Sequence, residues 1–166
     1  MFAPFSNPQN YHNSRVFVGD RLKEIVESCV AKGSAHLIDY GVRGERGTRV
    51  IEVVVDTETG VTTDTCSGLS REIIAVIDKE GVLQGGYRLE VSSPGIERPL
   101  RFAWQYRKHM GREFMLSVRN EQGSEKQTGR LSGIDDGGIV LQSGKKEEPR
   151  RISFDAIIEA RVLPPW

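Results

Sequence analysis

Two cysteines and three histidines are all that this 166-residue chain holds of the residue types that build metal centres, disulfide frameworks and many catalytic bases. Cys29 and Cys66 stand far apart, with no CxxC spacing and no Cys/His cluster, so neither a structural zinc site nor a disulfide scaffold is indicated. Both fall on apolar helical faces, where buried free thiols are common. His12 lies in the N-terminal stretch, His36 opens a strand and His109 follows an aromatic-basic segment; none has a partner at a recognisable spacing. No catalytic residue, metal ligand or cofactor is therefore expected. Long apolar runs are lacking as well, since none approaches the roughly 20 residues a membrane span needs. The first 14 residues, MFAPFSNPQNYHNS, have neither a basic start nor an apolar stretch, so a disordered tail over 1–14 is expected in place of a secretory leader, and the cytoplasm is the expected compartment.

Phosphate-cradling motifs are missing too. Gly85 and Gly86 have no GK[ST] and no GxGxxG spacing around them, which removes the Walker and dinucleotide readings. DTETG at 56–60 starts like a calcium loop, but Gly60 takes the third ligand position and the closing glutamate is absent, so it reads as a turn. GVRGERG at 41–47 contains the GxxG with which KH domains clamp a nucleic-acid backbone. In KH domains that loop joins two helices. Here it would join two strands, which favours a hairpin turn.

What is present describes a folded, water-soluble chain: 37% hydrophobic and 28% charged residues exclude the disordered and membrane classes. A net charge of zero hides an asymmetry. Residues 1–98 carry 11 basic against 14 acidic side chains and residues 99–166 carry 12 against 9, so a polyanion would be met by the C-terminal part.

From Val18, the apolar positions Leu22, Ile25, Val26, Cys29 and Val30 recur at three and four, one face of a helix that stops at Gly33. Residues 35–42 and Arg49–Asp56 read as strands of an antiparallel hairpin, the second rich in β-branched residues. A second helix follows, with Thr63 or Asp64 as N-cap, Cys66, Leu69, Ile73 and Ile77 on one face, and Gly81 as the stop. Tyr87–Ser92 closes the pattern as a third strand. The expectation is an α-β-β-α-β domain over 15–92, three strands with both helices on one face. SPGIERP then marks an interdomain turn over 93–99. Beyond it, short β-like runs at 113–119, 126–134, 138–143, 150–154 and 158–163 predict a small all-β SH3-like or Sm-like barrel over 100–166.

Three stretches could carry function. LEVSSPGIERPL at 89–100 runs a strand into a Pro-Gly corner and the charged pair Glu97 and Arg98. It is either a plain structured turn or a device that fixes two surfaces for a joint grip on one partner. RFAWQYRKHMGRE at 101–113 interleaves Phe102, Trp104 and Tyr106 with Arg101, Arg107, Lys108 and Arg112. Such aromatics stack on bases while the cations meet phosphate; the alternative has Phe102 and Trp104 sealing the base of the barrel under solvated cations. KKEEPRR at 145–151 gathers Lys145, Lys146, Arg150 and Arg151 on a hairpin, with Glu147 and Glu148 among them, which suits a solvated face as well as a phosphate clamp.

The residues LEVSSPGIERPL, with DTCSGLS at 64–70, the pair Ile77 and Asp78, and the closing ISFDAIIEARV, resemble the RimP family of ribosome maturation factors across nearly the whole chain. That resemblance implies signature positions Glu90, Ser92, Ser93, Pro94, Gly95, Arg98 and Pro99. The pair Ile96 and Glu97 stands where the family often shows Leu-Asp. It further implies an Sm-like second domain and a non-enzymatic cytoplasmic factor that binds the immature small (30S) ribosomal subunit near ribosomal protein S-twelve and 16S rRNA. The chain is expected to act as a monomer, with Arg107, Lys108, Arg112, Lys145, Lys146, Arg150 and Arg151 as candidate rRNA contacts. A general RNA-binding Sm-like module is the alternative, and an enzyme of unknown type ranks last.

Overall fold

Periodic apolar residues and short turn clusters settle into two units in a computed structural model that describes residues 10–166, with side chains from Val18 onward. The first unit comprises residues up to Asp56 and Val61–Ser93, the second Thr57–Gly60 and Pro94–Trp166.

In the first unit the order is α1 (Asn10–Lys32), β1 (His36–Arg43), β2 (Arg49–Asp56), α2 (Thr63–Glu80) and β3 (Tyr87–Ser92). Helix α1 begins ahead of the apolar stripe that announces it, so residues 10–14 of the expected tail are helical; residues 1–9 lie outside the described residues. Leu22, Ile25, Val26, Cys29 and Val30 are buried along its inner face. The helix exit differs from the expected glycine stop. Ser34, at φ 56, takes the left-handed position, and Ala35 N donates to Val30 O at 3.2 Å. At Gly33 a Cβ would stand 2.7 Å from Leu69 Cδ2 of α2, so that side-chain tip would have to shift.

Helix α2 is capped one residue earlier than the sequence suggests, by Thr62, whose Oγ1 accepts from Thr65 N at 3.1 Å; Gly81, at φ 60, closes it as expected. Arg21 of α1 donates Nε and Nη2 to Glu80 at 2.8 and 2.7 Å, a fork that joins the two helices on their outer side. The sheet runs β1-β2-β3. Strands β1 and β2 form the antiparallel hairpin, whereas β3 lies parallel to β2 because α2 intervenes as the crossover. Ile51, Val53 and Val55, alternate residues of β2, meet Leu69, Ile73, Ile77 and the α1 stripe in one core. Each aliphatic side chain so buried contributes roughly 1.5–3 kcal/mol.

The second unit opens with a 3-10 turn, Ala103–His109, which the strand-by-strand reading left unassigned. All five expected strands follow: β3's successors are β4 (Glu113–Asn120), β5 (Gly123–Asp135), β6 (Gly138–Gln142), β7 (Arg150–Ser153) and β8 (Ile157–Val162). They pair antiparallel in the order β7-β6-β5-β4-β8. Ile152 of end strand β7 and Ala160 and Val162 of end strand β8 are buried in the same core as Phe114, Leu116, Leu131 and Leu141. A sheet whose two ends share one core is curled on itself, which is the barrel-like architecture expected. A bulge between Leu131 and Gly133 lets β5 bend, and a 3-10 turn at Phe154–Ala156 carries the chain from β7 to β8.

Candidate nucleic-acid interface

The signature residues divide between the units. Glu90 and Ser92 lie on β3 and Ser93 ends the first unit, while Pro94, Gly95, Arg98 and Pro99 open the second. Glu90 stands beside Glu52 across the parallel pair, and the resulting like-charge contact is offset by cations. Arg43 reaches Glu52 at 3.0 Å and Glu90 at 3.9 Å, and Arg88 reaches Glu90 at 2.5 Å. Gly95 adopts φ 65, and a Cβ there would meet nothing within 4 Å, so backbone conformation and not space demands glycine at the corner. Past the corner the segment is held to β8: Glu97 O accepts from Arg161 Nη1 at 2.6 Å, and Leu100 N donates to Ala160 O at 2.8 Å. Residues 97–100 are thus strapped to the barrel, not left as a free tether.

The aromatic-basic segment forms the 3-10 turn. Tyr106 is the aromatic that seals the barrel, its ring 5.7 Å from Phe114 and 5.5 Å from Phe154, and burial pushes its hydroxyl pKa up to about 12. Phe102 and Trp104, expected in one reading to do that sealing, do not. Their rings lie parallel at 6.0 Å, Phe102 is 42% exposed, and Lys108 Nζ sits 5.8 Å over the Trp104 ring. The physical reason is the helical pitch: the 3-10 turn directs Gln105 and Tyr106 inward, which leaves Phe102 on the outer side. Gln105 is 1% exposed, and its Oε1 accepts from the backbone N–H of Arg101 at 2.8 Å and of Phe102 at 3.1 Å. Sequence reasoning passed over Gln105, although its place three residues into the turn is where a side chain reaches back to cap an N-terminus.

The candidate cations fall into two groups. Arg107, Lys108 and Arg112 belong to the 3-10 turn and its exit, with Arg112 Nη2 donating to Leu163 O at 3.4 Å. Lys145 and Lys146 occupy the β6–β7 connection, exposed, and Arg150 and Arg151 lie on β7. The hairpin cations are partly matched by carboxylates. Arg150 meets Glu125 at 3.3 Å, and Arg151 forks onto Asp135 at 2.8 and 2.7 Å, which holds the Asp135 carboxyl down at about 2. Asp135 is a second residue that the sequence reading missed, because no rule of spacing joins β5 to β7.

Burial raises the Cys29 and Cys66 thiols above their ordinary value, which disfavours the reactive thiolate. The 56–60 segment is a turn closed by Thr57 Oγ1 donating to Gly60 O at 2.6 Å. Among the described residues no group of three or more His, Cys, Asp or Glu side chains could hold a metal ion, and no helix is long and apolar enough to cross a membrane. His36 opens β1, His109 packs edge-on against Phe114 at 6.2 Å, and the His12 side chain lies outside the described residues.

Comparison with known families agrees with this architecture. Residues 25–97 match the family model of the RimP N-terminal domain, a span that runs from the middle of α1 through β3 to Glu97 in the signature. Over that span the first unit, with its α-β-β-α-β order, is similar to the N-terminal domain of the RimP family.

Proposed function

We infer that this protein acts in ribosome maturation by binding the immature small (30S) subunit in the cytoplasm, as a monomer and without catalysis, through contacts to 16S rRNA and ribosomal protein S-twelve. The observation that carries this reading is the RimP N-terminal domain across residues 25–97. The charge division supports an allocation of roles. An acidic first unit suits a basic ribosomal protein, and the basic second unit suits rRNA. The seven candidate cations are the proposed phosphate contacts, and the signature corner, strapped to β8 at Glu97 and Leu100, supports a fixed presentation of the second unit's start. An assembly factor must hold its intermediate and then leave it, and two modest surfaces joined by a short segment meet that requirement by effective concentration.

Sedimentation of a lysate that lacks the protein tests the reading. Immature small subunits accumulate, and purified protein added back co-migrates with them. Binding of unrelated RNAs as tightly as small-subunit particles would favour the general RNA-binding alternative.

A further inference from the structure

In the first unit the outer edge of β3 is open. Strand β3 ends the order β1-β2-β3, pairs with β2 on one side, and among the described residues sends no backbone hydrogen bond from the other. Such an edge is a template for another strand unless a proline or a bulge blunts it, and Tyr87–Ser92 has neither. Its apolar side chains are incompletely covered as well. Ile51 and Val53 of β2 are fully buried, whereas their cross-strand partners Leu89 and Val91 on β3 face the same helices and are only partly buried.

Helix α2 continues this open side above the sheet. Asp78 lies on its β3 flank, where Oδ1 accepts from the Tyr87 hydroxyl at 2.8 Å, while Glu80 turns the other way to Arg21 of α1. Ile74, one helical turn before Asp78, shares the β3 flank and is 38% exposed. As the crossover between parallel strands, α2 runs antiparallel to β3, and four helix residues span about the same ~6 Å as two strand residues. With Asp78 at Tyr87, Ile74 therefore stands over Leu89, the middle of the unpaired strand.

We propose that the free protein self-associates through this edge, β3 pairing antiparallel with β3 of a second copy about a two-fold axis at Leu89. The charges on the face away from the helices select that occupant and that register. Arg88, 67% exposed, then meets the partner's Glu90, and Glu90, 40% exposed, meets the partner's Arg88. On the helix face Tyr87 meets Val91, Leu89 meets its own copy, and the same axis brings the two Ile74 side chains together above the joined sheet. Moving the axis to Arg88 or to Glu90 would set like charges against each other, and parallel in-register pairing would do so at both positions. The contact between Arg88 and Glu90 within one strand, at 2.5 Å, is exposed, contributes little and yields to the cross-strand pair. This pairing goes beyond the ribosome-maturation reading, which takes the monomer to the particle; an interface of one short strand is small enough to dissociate.

Analytical ultracentrifugation of the intact protein from micromolar to millimolar concentration tests it. A reversible monomer–dimer equilibrium is expected. Arg88→Glu and Glu90→Arg each set like charges across the axis twice, and each raises the dissociation constant roughly tenfold or more. Mixed together, the two variants associate as wild type does, because one copy then carries two glutamates and the other two arginines. Ile74→Glu weakens the dimer by a similar factor. These side chains are exposed, so every variant keeps the wild-type unfolding midpoint. Wild-type protein that stays monomeric throughout overturns the proposal and leaves the edge to a strand of another protein. A dimer that the single variants leave intact overturns it too, as does a mixture that associates no better than either variant alone.

Discussion

Substitution of Gln105 by leucine is the sharpest test of how the second unit is held together. Gln105 is 1% exposed, and its Oε1 accepts two backbone N–H bonds, from Arg101 at 2.8 Å and Phe102 at 3.1 Å. Leucine fills nearly the same space, so no large cavity forms and the loss comes from the two abandoned donors. Each unsatisfied donor costs about 1–3 kcal/mol. Arg101 and Phe102 are themselves exposed, which lets water recover part of that loss and places the expected total near the lower end, about 2–3 kcal/mol. For a unit of this size each kcal/mol moves the melting temperature by about 4–8 °C, so a drop on the order of 10 °C or more follows. Both tryptophans, Trp104 and Trp166, belong to the second unit, and their fluorescence in a urea titration therefore reports its unfolding. A midpoint shift worth less than about 0.5 kcal/mol, the size of an ordinary surface change, would refute the role given to Gln105.

Other substitutions probe different parts of the fold. Gly138→Ala places a Cβ 2.2 Å from the Ile152 carbonyl oxygen on the neighbouring strand; overpacking of this kind costs about 1–3 kcal/mol or more, and a urea midpoint equal to wild type would contradict the β6–β7 register. Gly95→Ala meets no neighbour and should cost only the backbone strain of its positive φ, about 1–2 kcal/mol, measured by the same titration. Asp135 provides a pH test. Its folded pKa, about 2, lies below the unfolded value, so its contribution to stability is present above pH 4 and fades as pH falls toward 2. Arg151→Gln should flatten that part of the melting-temperature profile, and a profile unchanged between pH 5 and 2 would refute the pairing. Charge-neutralising Lys145 and Lys146 should reduce the salt dependence of 16S rRNA binding, whereas neutralising Arg46 and Arg49 of the first unit should leave it unchanged.

Much of the first unit was readable because each of its elements has one uninterrupted apolar period. Leu69, Ile73 and Ile77 announce α2 at a spacing of four, and Ile51, Val53 and Val55 announce β2 at a spacing of two. The ends were less legible. Thr62 caps α2 where Thr63 was equally plausible by composition, and Ser34, not the neighbouring glycine, takes the left-handed exit. Strand β5 begins at Gly123, ahead of the expected 126, since Gly123 to Gln127 pair with β4 but carry no apolar alternation to announce them.

The candidate site was legible in part for a related reason. The signature and both cation groups stand out in the sequence, but the side chains that organise them act across space. Gln105 works through two amides, and Asp135 through a strand two places away in the sheet. The 3-10 turn itself was left unassigned because a seven-residue segment is too short to show a helical apolar period.

The proposed role of this chain is in maturation of the small ribosomal subunit. Its most direct test follows the intact, tagged protein through a sucrose gradient of lysate from cells deprived of the native copy. The account predicts that the protein travels with immature small subunits and leaves them once maturation is complete. Protein that remains at the top of the gradient while such precursors are abundant would contradict it.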